Sequence, residues 1–518
     1  MSGRPQHRRP PKPKQNARKK AKEPETFDDF MSEGVDLEEK GERYGSGDRA
    51  QKYYENAAQM YSKAHALNPQ DADCLYNWGR VIFLLAGFLP EHATPEDKVK
   101  MLDQSIKKFR AALNLEHDKS DAQFNLAQAL HQKSEVLQEA TDIENSYQQS
   151  AMALQEAIAL FETVYKLQEK EYKDQRSPTP AQSTDSERKG HQDNGDEQGG
   201  GNDPEMETKD SNDNQGPKDY TTVTQVEATT AYSLIDTLLS LADTMSTMAS
   251  MLASYKSSVD LFSRARSNLS LAEKWLGETS AEDKEYRSAR IQINIKEAQV
   301  FSGLAERTLL AQNRVDHALF QQAIERLDQV LENYDDKNME ALCDRGDILG
   351  SYADGLVKEC KGDKLSAENG KTVWQLYAQA DRSLKAALQL EPKNLNILNK
   401  LGDLSVARAR LDLPVAQRNR LQLLKNAEFY FKQAVETNRQ VLTSGWTGWA
   451  FSAWALQEWA EIPDKKQEAS RIFRTWLKRG GSGELFGELA EDSATLDPEF
   501  IEWVEDNFFE EEEEEDDE

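Results

Sequence analysis

The feature that most constrains this sequence is a pattern of small, bulky and small residues that recurs along most of the chain. One copy consists of Ala57, Tyr61 and Ala64, and the turn-forming Pro69 follows it. The spacing of four and then three residues places these side chains on one face of a helix. In a helical repeat of about 34 residues, small residues let two helices approach while large ones fill the adjoining holes. The pattern therefore predicts stacked helical hairpins.

In such repeats this pattern belongs to the second helix of each two-helix unit, and it recurs in both halves of the chain. The further copies are Phe109 with Ala112; Ala157, Phe161 and Val164; Ala323, Leu327 and Val330; Ala380, Leu384 and Ala387; Ala427, Phe431 and Ala434; and Ala469, Phe473 and Trp476. A generic helical bundle is the alternative, but it does not explain several copies in mutual register. We therefore predict an all-α fold of tetratricopeptide-like repeats, an irregular α-solenoid with essentially no sheet. Residues 222–275 match no unit well and are predicted to form one long helix.

Composition divides the chain into five parts. Residues 1–26 combine basic residues with prolines, residues 173–219 are rich in Gly, Pro, Asp, Asn and Ser, and residues 506–518 carry an acidic run. Such segments cannot bury enough apolar surface to offset their ordering entropy, so we predict a disordered leader, linker and tail. The predicted helical regions are 27–172, with repeats, and 220–505, where repeats resume.

The residues just before the acidic tail alternate aromatic and acidic side chains, in the sequence DPEFIEWVEDNFF. One interpretation is a short helix whose aromatic side chains dock on the last repeat. The other is an exposed aromatic-acidic motif for a basic partner. We favour docking for Trp503 and partner binding for the acidic run.

The charge of the chain restricts its ligands. It has 64 Lys and Arg residues against 92 Asp and Glu, which gives a net charge of -28. A field of that sign repels phosphate backbones and attracts basic proteins. We therefore expect protein partners and no direct binding of nucleic acid. No apolar run is long enough for a membrane helix, so no membrane association is expected.

The basic leader contains a candidate nuclear-import signal. Its residues are Arg8, Arg9, Arg18, Lys19, Lys20 and Lys22. Import receptors recognise short basic clusters of this kind, which predicts an import receptor as partner and a location in the nucleus. The alternative is a solvated tail that contacts RNA or the acidic end of the chain itself. Shuttling with the cytoplasm stays open.

The sequence contains no recognisable catalytic or metal-binding motif. The three cysteines, Cys74, Cys343 and Cys360, are too far apart for zinc-ligand spacing, and the seven histidines are scattered. The glycines near Gly480 lack the Lys-Ser pair of a phosphate-binding loop. Carboxylates are so abundant that no pair of them indicates acid-base catalysis. We therefore predict a protein that is not an enzyme and needs no cofactor or metal.

The first helices of stacked repeats line a groove in which a peptide or partner helix usually docks. The residues that the register places there include Asp73, Tyr76, Asp121, Phe124, Glu340, Asp347, Asn399 and Asp403. Acids mixed with aromatics suit a basic partner segment, although an acidic protein has acids on every face. A clamp for a chaperone's C-terminal carboxylate is disfavoured, because Asp73 and Asp121 stand where that clamp needs positive charge.

Several segments of the sequence resemble those of a known family. They are YNWGRVIF, LNKLGDLS and the tryptophan-rich SGWTGWAFSAWALQEWAE, between a basic start and an acidic end. Together they resemble the fungal enhancer of translation termination family, which includes a tetratricopeptide-like negative regulator of a nuclear prolyl-hydroxylase-type dioxygenase. The resemblance implies a non-enzymatic nuclear adaptor that binds the dioxygenase and a basic small-subunit ribosomal protein. It also implies a role in efficient translation termination and, in some fungi, in transcription regulation. The alternative is a structural scaffold subunit of a larger nuclear complex.

Overall fold

The computed structural model describes residues 24–90, 93–140, 143–176, 228–360, 365–439, 442–492 and 496–509. These residues form eighteen α-helices and no β-strand. The helices are α1 Phe27–Tyr44, α2 Gly47–Leu67, α3 Ala72–Ala86, α4 Pro95–Leu115, α5 Ser120–Glu139, α6 Ser146–Arg176, α7 Ala231–Met251, α8 Tyr255–Leu276, α9 Tyr286–Gln312, α10 His317–Asn333, α11 Met339–Glu359, α12 Ala367–Leu390, α13 Leu395–Arg410, α14 Pro414–Thr437, α15 Ser444–Glu458, α16 Lys465–Leu477, α17 Gly483–Asp492 and α18 Pro498–Phe508. The predicted all-α fold is confirmed for this part of the chain.

Three predicted segments lie wholly or largely outside the described residues. They are the leader with its candidate import signal, the linker beyond Arg176 and the acidic run from residue 510. Within the described ranges, no helix has both the length and the apolar character needed to cross a bilayer.

The helices stack as eight consecutive hairpins, from α1 with α2 to α15 with α16, because each helix packs against the next along the chain. Odd-numbered helices also contact one another across units, as α3 does with α5, α5 with α7, α7 with α9 and α9 with α11. The first helices of the units therefore form a continuous layer, the odd-helix layer. This arrangement confirms the predicted tetratricopeptide-like repeats.

Within a unit, a bulky side chain of the second helix occupies the space beside a glycine of the first. A Cβ atom on Gly79 of α3 would lie 2.9 Å from the ring of Phe109 in α4. In the unit of α13 and α14, a Cβ atom on Gly402 would lie 2.6 Å from the ring of Phe431. Both rings are almost fully buried. The small and large residues of the repeat pattern thus meet as the sequence predicts.

The two helical regions on either side of the linker form one stack. Helix α6 packs against α7, and Phe161 of α6 shares a hydrophobic core with Leu234 of α7. Helix α6 continues to Arg176, four residues beyond the predicted limit of 172. Ion pairs support this last turn, since Lys173 lies 2.9 Å from Glu169 and Arg176 lies 3.2 Å from Glu278.

The prediction of one long helix over residues 222–275 is wrong. Helix α7 ends at Met251 and α8 begins at Tyr255, and the two pack together as the fourth hairpin. The side chain of Ser254 accepts a hydrogen bond from the backbone N–H of Ser257, which caps α8. No glycine or proline marks this break, and the apolar pattern continues across it, so the end of α7 cannot be recognised from the sequence.

Helices α17 and α18 cover the end of the stack. Phe500 of α18 is fully buried, with its ring centroid 5.3 Å from that of Phe451 and 5.7 Å from that of Trp454. Helix α18 extends past the predicted boundary to Phe508, whose ring lies 4.8 Å from that of Phe473. The segment therefore docks as a helix, which is the first of the two interpretations above.

Candidate functional site

A row of carboxylates crosses the middle of the odd-helix layer, and we call it the acidic row. It consists of Glu135 on α5, Asp243 on α7, and Glu340, Asp344 and Asp347 on α11. The three residues of α11 are spaced by four and three positions, so they lie on one face of that helix. Contacts between neighbouring odd-numbered helices bring the rest of the row together.

Helix α9 contributes a cation between the two ends of the acidic row. The Lys296 ammonium donates a hydrogen bond to Asp243 at 2.9 Å. Burial raises the pKa of the Glu135 carboxyl and that of Asp344, and the positive charge of Lys296 acts in the opposite direction on both. The Lys296 ammonium carries one charge and cannot neutralise the carboxylates of Glu135, Asp243 and Asp344 together. The centre of the acidic row therefore keeps a negative charge.

Asp344 is the most perturbed carboxyl of the acidic row. Its pKa is raised to about 6, chiefly by burial, and the neighbouring charges of Glu340 and Asp347 contribute to this shift. The Gln299 side chain of α9 donates a hydrogen bond to Asp344 at 2.8 Å, which opposes this shift. A cation that approaches Asp344 stabilises its ionised form, which burial and the neighbouring carboxylates disfavour.

Asp347 connects the acidic row to α13. It forms an ion pair with Lys400, at 2.5 Å. Both side chains are close to half exposed, so water screens the pair and its net contribution is small. Asn399 lies next to Lys400, and its buried side-chain oxygen receives no hydrogen bond within the described ranges. Asp403, one turn further along α13, is partly exposed.

Two residues predicted for the N-terminal part of the groove are engaged with neighbouring residues. Asp73 bonds the Lys119 ammonium, which comes from the loop before α5. Lys119 also lies 5.8 Å from the ring centroid of Tyr76. The Tyr76 hydroxyl accepts a hydrogen bond from Asn125 at 3.0 Å. Lys119 therefore reduces the negative charge that Asp73 offers to a partner.

The other two predicted residues of that part differ in their surroundings. The ring of Phe124 lies edge-on to that of Phe161, with centroids 5.4 Å apart, and it packs against the hydrophobic core. Asp121, in the first turn of α5, is exposed. Phe124 thus stabilises the stack, whereas Asp121 faces solvent.

The acidic row contains two predicted residues, Glu340 and Asp347, and three that the sequence analysis missed. Asp344 carried a usable signal, because it lies on the same helical face as both predicted acids. Asp243 was assigned to a helix outside the repeats, which hid its position in the odd-helix layer. Glu135 lies about four turns beyond Asp121 on α5 and had no distinguishing pattern.

The described residues include no cluster of three or more histidine, cysteine or carboxylate side chains placed to hold a metal ion. Cys74 is buried, and its thiol donates a hydrogen bond to the backbone oxygen of Tyr61 at 3.4 Å. Burial raises the pKa of this thiol to about 12, so it stays protonated at neutral pH and is a poor nucleophile.

Comparison with protein families gives a partial match. Residues 48–194 match the model of the plant-specific mitochondrial import receptor subunit TOM20. The match begins in α2 and covers less than half of the chain. It is therefore compatible with the helical hairpins described above and does not define the family of the whole protein.

One curated relative shares a short stretch of sequence. The UPF0656 protein C926.02 of Schizosaccharomyces pombe is 32% identical over 99 residues, which is 19% of this chain and 22% of the relative. The match thus spans about a fifth of the relative's length.

Several solved structures share the helical architecture. The S. pombe nuclear import adaptor Nro1 has a TM-score of 0.36 and 14% identity, over 70% of this chain and 95% of that one. A second structure, of Nro1 described as a hypoxic regulator of sterol synthesis and nuclear import adaptor, has a TM-score of 0.27 and 12% identity, over 80% and 90%. The tetratricopeptide domain of P58(IPK) has a TM-score of 0.19 and 11% identity, over 86% and 98%. These superpositions are too loose for a functional inference.

Proposed function

We propose that this chain is a non-enzymatic adaptor that binds a basic segment of a partner protein along the acidic row. The observation that carries the proposal is the position of Asp344, between Glu340 and Asp347 on one face of α11. Asp344 is held where burial disfavours its charge. A partner's lysine or arginine would relieve the repulsion among these three carboxylates, so binding a cation there is electrostatically favourable.

The nature of the partners follows from the sequence resemblance. We infer a basic small-subunit ribosomal protein as cargo and a prolyl-hydroxylase-type dioxygenase as a second partner. The basic leader would engage an import receptor, which makes the adaptor nuclear, and the complex would support efficient translation termination. The similarity to the S. pombe relative over 99 residues is compatible with the fungal resemblance.

A charge-neutralised variant tests the binding surface. In the full-length chain, Glu340→Gln, Asp344→Asn and Asp347→Asn remove three charges and keep the shape of each side chain. We expect affinity for a basic ribosomal protein, measured by calorimetry at moderate salt, to fall about tenfold or more. Affinity should also fall steeply as salt is raised, because exposed charges are screened.

The matched control removes three charges from even-numbered helices. Glu55→Gln, Glu325→Gln and Glu436→Gln change exposed residues of α2, α10 and α14 and give the same net charge as the test variant. We expect less than about a twofold effect from the control, because distant surface charges are screened. Equal losses in the two variants would show that only net charge matters, and full affinity of the test variant would exclude the acidic row as the binding surface.

One observation favours the second candidate function, a structural scaffold subunit. On α14, Phe429 is 57% exposed and Leu421 is 39% exposed, and their spacing of eight places them on one face. A scaffold that binds through such apolar contacts should retain its partners at high salt. Affinity purification at moderate and high salt, with mass spectrometry, separates the two functions. Salt-sensitive recovery of a ribosomal protein supports the adaptor, and a salt-resistant complex without it supports the scaffold.

A further inference from the structure

An open cavity of about 460 Å³ lies at one end of the acidic row, where α3, α5 and α7 meet. Its lining includes two carboxylates of the row, Glu135 and Asp243, and the side chains of Gln132 and His131. Phe83 of α3 and Phe161 of α6 contribute aromatic rings to the wall. No lysine or arginine is among the described residues that line it. The cavity therefore offers acceptors and aromatic surface together.

The polar side of the cavity has unused hydrogen-bonding capacity. The side-chain oxygen of Gln132 is buried and receives no hydrogen bond from any described residue. A buried acceptor without a donor destabilises a protein, and a ligand that donates a hydrogen bond removes that penalty. Glu135 lies three residues further along the same helix. One of its carboxylate oxygens is 3.8 Å from the Nε2 atom of His131, which is longer than a hydrogen bond.

The other polar groups of the cavity are already held in place. Asp243 accepts a hydrogen bond from Lys296 at 2.9 Å. The two ring nitrogens of His131 each lie 3.3 Å from a threonine hydroxyl of α7, those of Thr244 and Thr247. Asp243 and His131 are therefore fixed, whereas Gln132 and Glu135 are acceptors with capacity to spare. A rotation of the Gln132 side chain toward the cavity brings its buried oxygen to a ligand.

The apolar side of the cavity is formed by aromatic rings. Phe83 is partly buried, and Phe161 lies fully buried beneath the cavity. A planar guanidinium stacks on aromatic faces and donates hydrogen bonds in several directions at once, whereas an ammonium is compact and strongly hydrated. Acceptors on one side and phenyl rings on the other suit the guanidinium better.

We propose that this cavity binds an arginine side chain of the partner's basic segment and discriminates against lysine at that position. The proposal rests on the proposed function, because it names the residue that the acidic row selects. Arginine donates to the Gln132 oxygen and the Glu135 carboxylate while its plane lies against Phe83.

Binding of peptides that differ at one position to the full-length chain tests the proposal. The probes are three fluorescent peptides of about twelve residues, composed of lysine, glycine and serine, whose central residue is arginine, lysine or citrulline. We expect the arginine peptide to bind about tenfold tighter than the lysine peptide in anisotropy titrations. Citrulline keeps the shape of arginine without its charge, so that peptide should bind more weakly than the arginine peptide by a similar factor.

Variants of the cavity should remove the discrimination. Gln132→Leu, Glu135→Gln and Phe83→Leu are each expected to bring the arginine-to-lysine ratio of affinities within about twofold of one. Asp347→Asn, at the far end of the acidic row, should weaken both peptides and leave the ratio unchanged. Thermal unfolding of each variant identifies any that fail to fold, and Glu135→Gln, at a partly exposed position, carries the test in that case.

The outcomes separate this proposal from the one on which it rests. Equal binding of the arginine and lysine peptides, with weaker binding to Asp347→Asn, overturns the arginine site and leaves the adaptor function intact. A ratio that survives all three cavity variants also overturns the site. Failure of every peptide to bind overturns both proposals.

Discussion

Arg80 of α3 forms an ion pair with Glu38 of α1, with its Nε atom 2.7 Å from a carboxylate oxygen that is almost inaccessible to solvent. The Tyr61 hydroxyl donates a hydrogen bond to the other oxygen at 2.9 Å. Burial raises the pKa of Glu38, and Arg80 and Tyr61 act against that shift. The pair joins the first helices of two successive units, so it sets their relative position.

Removal of Arg80 should destabilise the first units of the stack. We expect Arg80→Met to lower the free energy of unfolding by about 2 kcal/mol, because Glu38 stays buried without its cation. The value is below that for a fully buried pair, since Arg80 is 37% exposed and water screens its charge. Chemical denaturation at pH 7.5 measures the loss.

The exposed pair of Arg43 and Glu39 supplies the control. Arg43→Met should change stability by less than about 0.5 kcal/mol. The stability lost in Arg80→Met should also become smaller as the pH falls. Burial raises the pKa of Glu38 in the folded variant, so this carboxyl takes up a proton at a higher pH than it does in the unfolded chain, and the neutral form no longer needs a cation. A loss that is constant between pH 7.5 and 5 would contradict this account.

Two glycines of α11 should respond in opposite ways to alanine. A Cβ atom on Gly346 would lie 2.6 Å from Cγ of the buried Leu384, so Gly346→Ala should cost about 1–3 kcal/mol through overpacking. A Cβ atom on Gly350 has no neighbour within 4 Å, so Gly350→Ala should stabilise the helix by about 0.5–1 kcal/mol. Urea unfolding of both variants tests the difference, and the same sign in both would refute it.

Binding of a basic peptide to the acidic row should weaken in mild acid. Asp344 has a pKa of about 6, so it becomes neutral as the pH falls from 7.5 to 5 and ceases to attract a cation. We expect affinity to fall about tenfold over this range. The measurement is titration of a lysine-rich peptide at constant ionic strength.

The variant Asp344→Asn isolates this effect from other titrations. It should bind at pH 7.5 about as weakly as the unaltered chain binds at pH 5, and its affinity should depend less on pH. An identical pH profile in the two proteins would assign the dependence to other groups.

The docking of helix α18 on the end of the stack should contribute strongly to stability. Phe500→Ala removes a fully buried ring that contacts Phe451 and Trp454, and we expect a loss of about 3–5 kcal/mol. Phe429→Ala removes the same atoms from a ring that is 57% exposed and should change stability by less than about 0.5 kcal/mol. Comparable losses in thermal unfolding would mean that α18 is not tightly held.

The repeat architecture was predictable because its determinants are local. Phe109 and Phe431 lie at a fixed helical spacing from small residues, and that spacing alone identifies the buried face. The break between α7 and α8 was not predictable in this way, because it depends on the Ser254 cap within a continuous apolar run. Serine is too common for a single capping residue to mark a boundary.

The candidate site was predictable only within one helix. Glu340 and Asp347 were identified from register, but the row becomes a site through Asp243 and Lys296, which other helices supply. Lys119 is equally informative, because it lies 46 positions from Asp73 and comes from a loop. Helical periodicity does not encode which distant cation a carboxylate meets.

The shared core of α6 and α7 has a consequence for how this protein can change in evolution. Helix α6 packs directly against α7 and the two share one hydrophobic core, so residues 177–227 connect two helices that are already in contact. For a flexible connection between two such helices, the loop-closure entropy grows only with the logarithm of its length, at about 0.6 kcal/mol per doubling. The junction is therefore a permissive point at which sequence can be gained or lost while the repeats on both sides keep their positions.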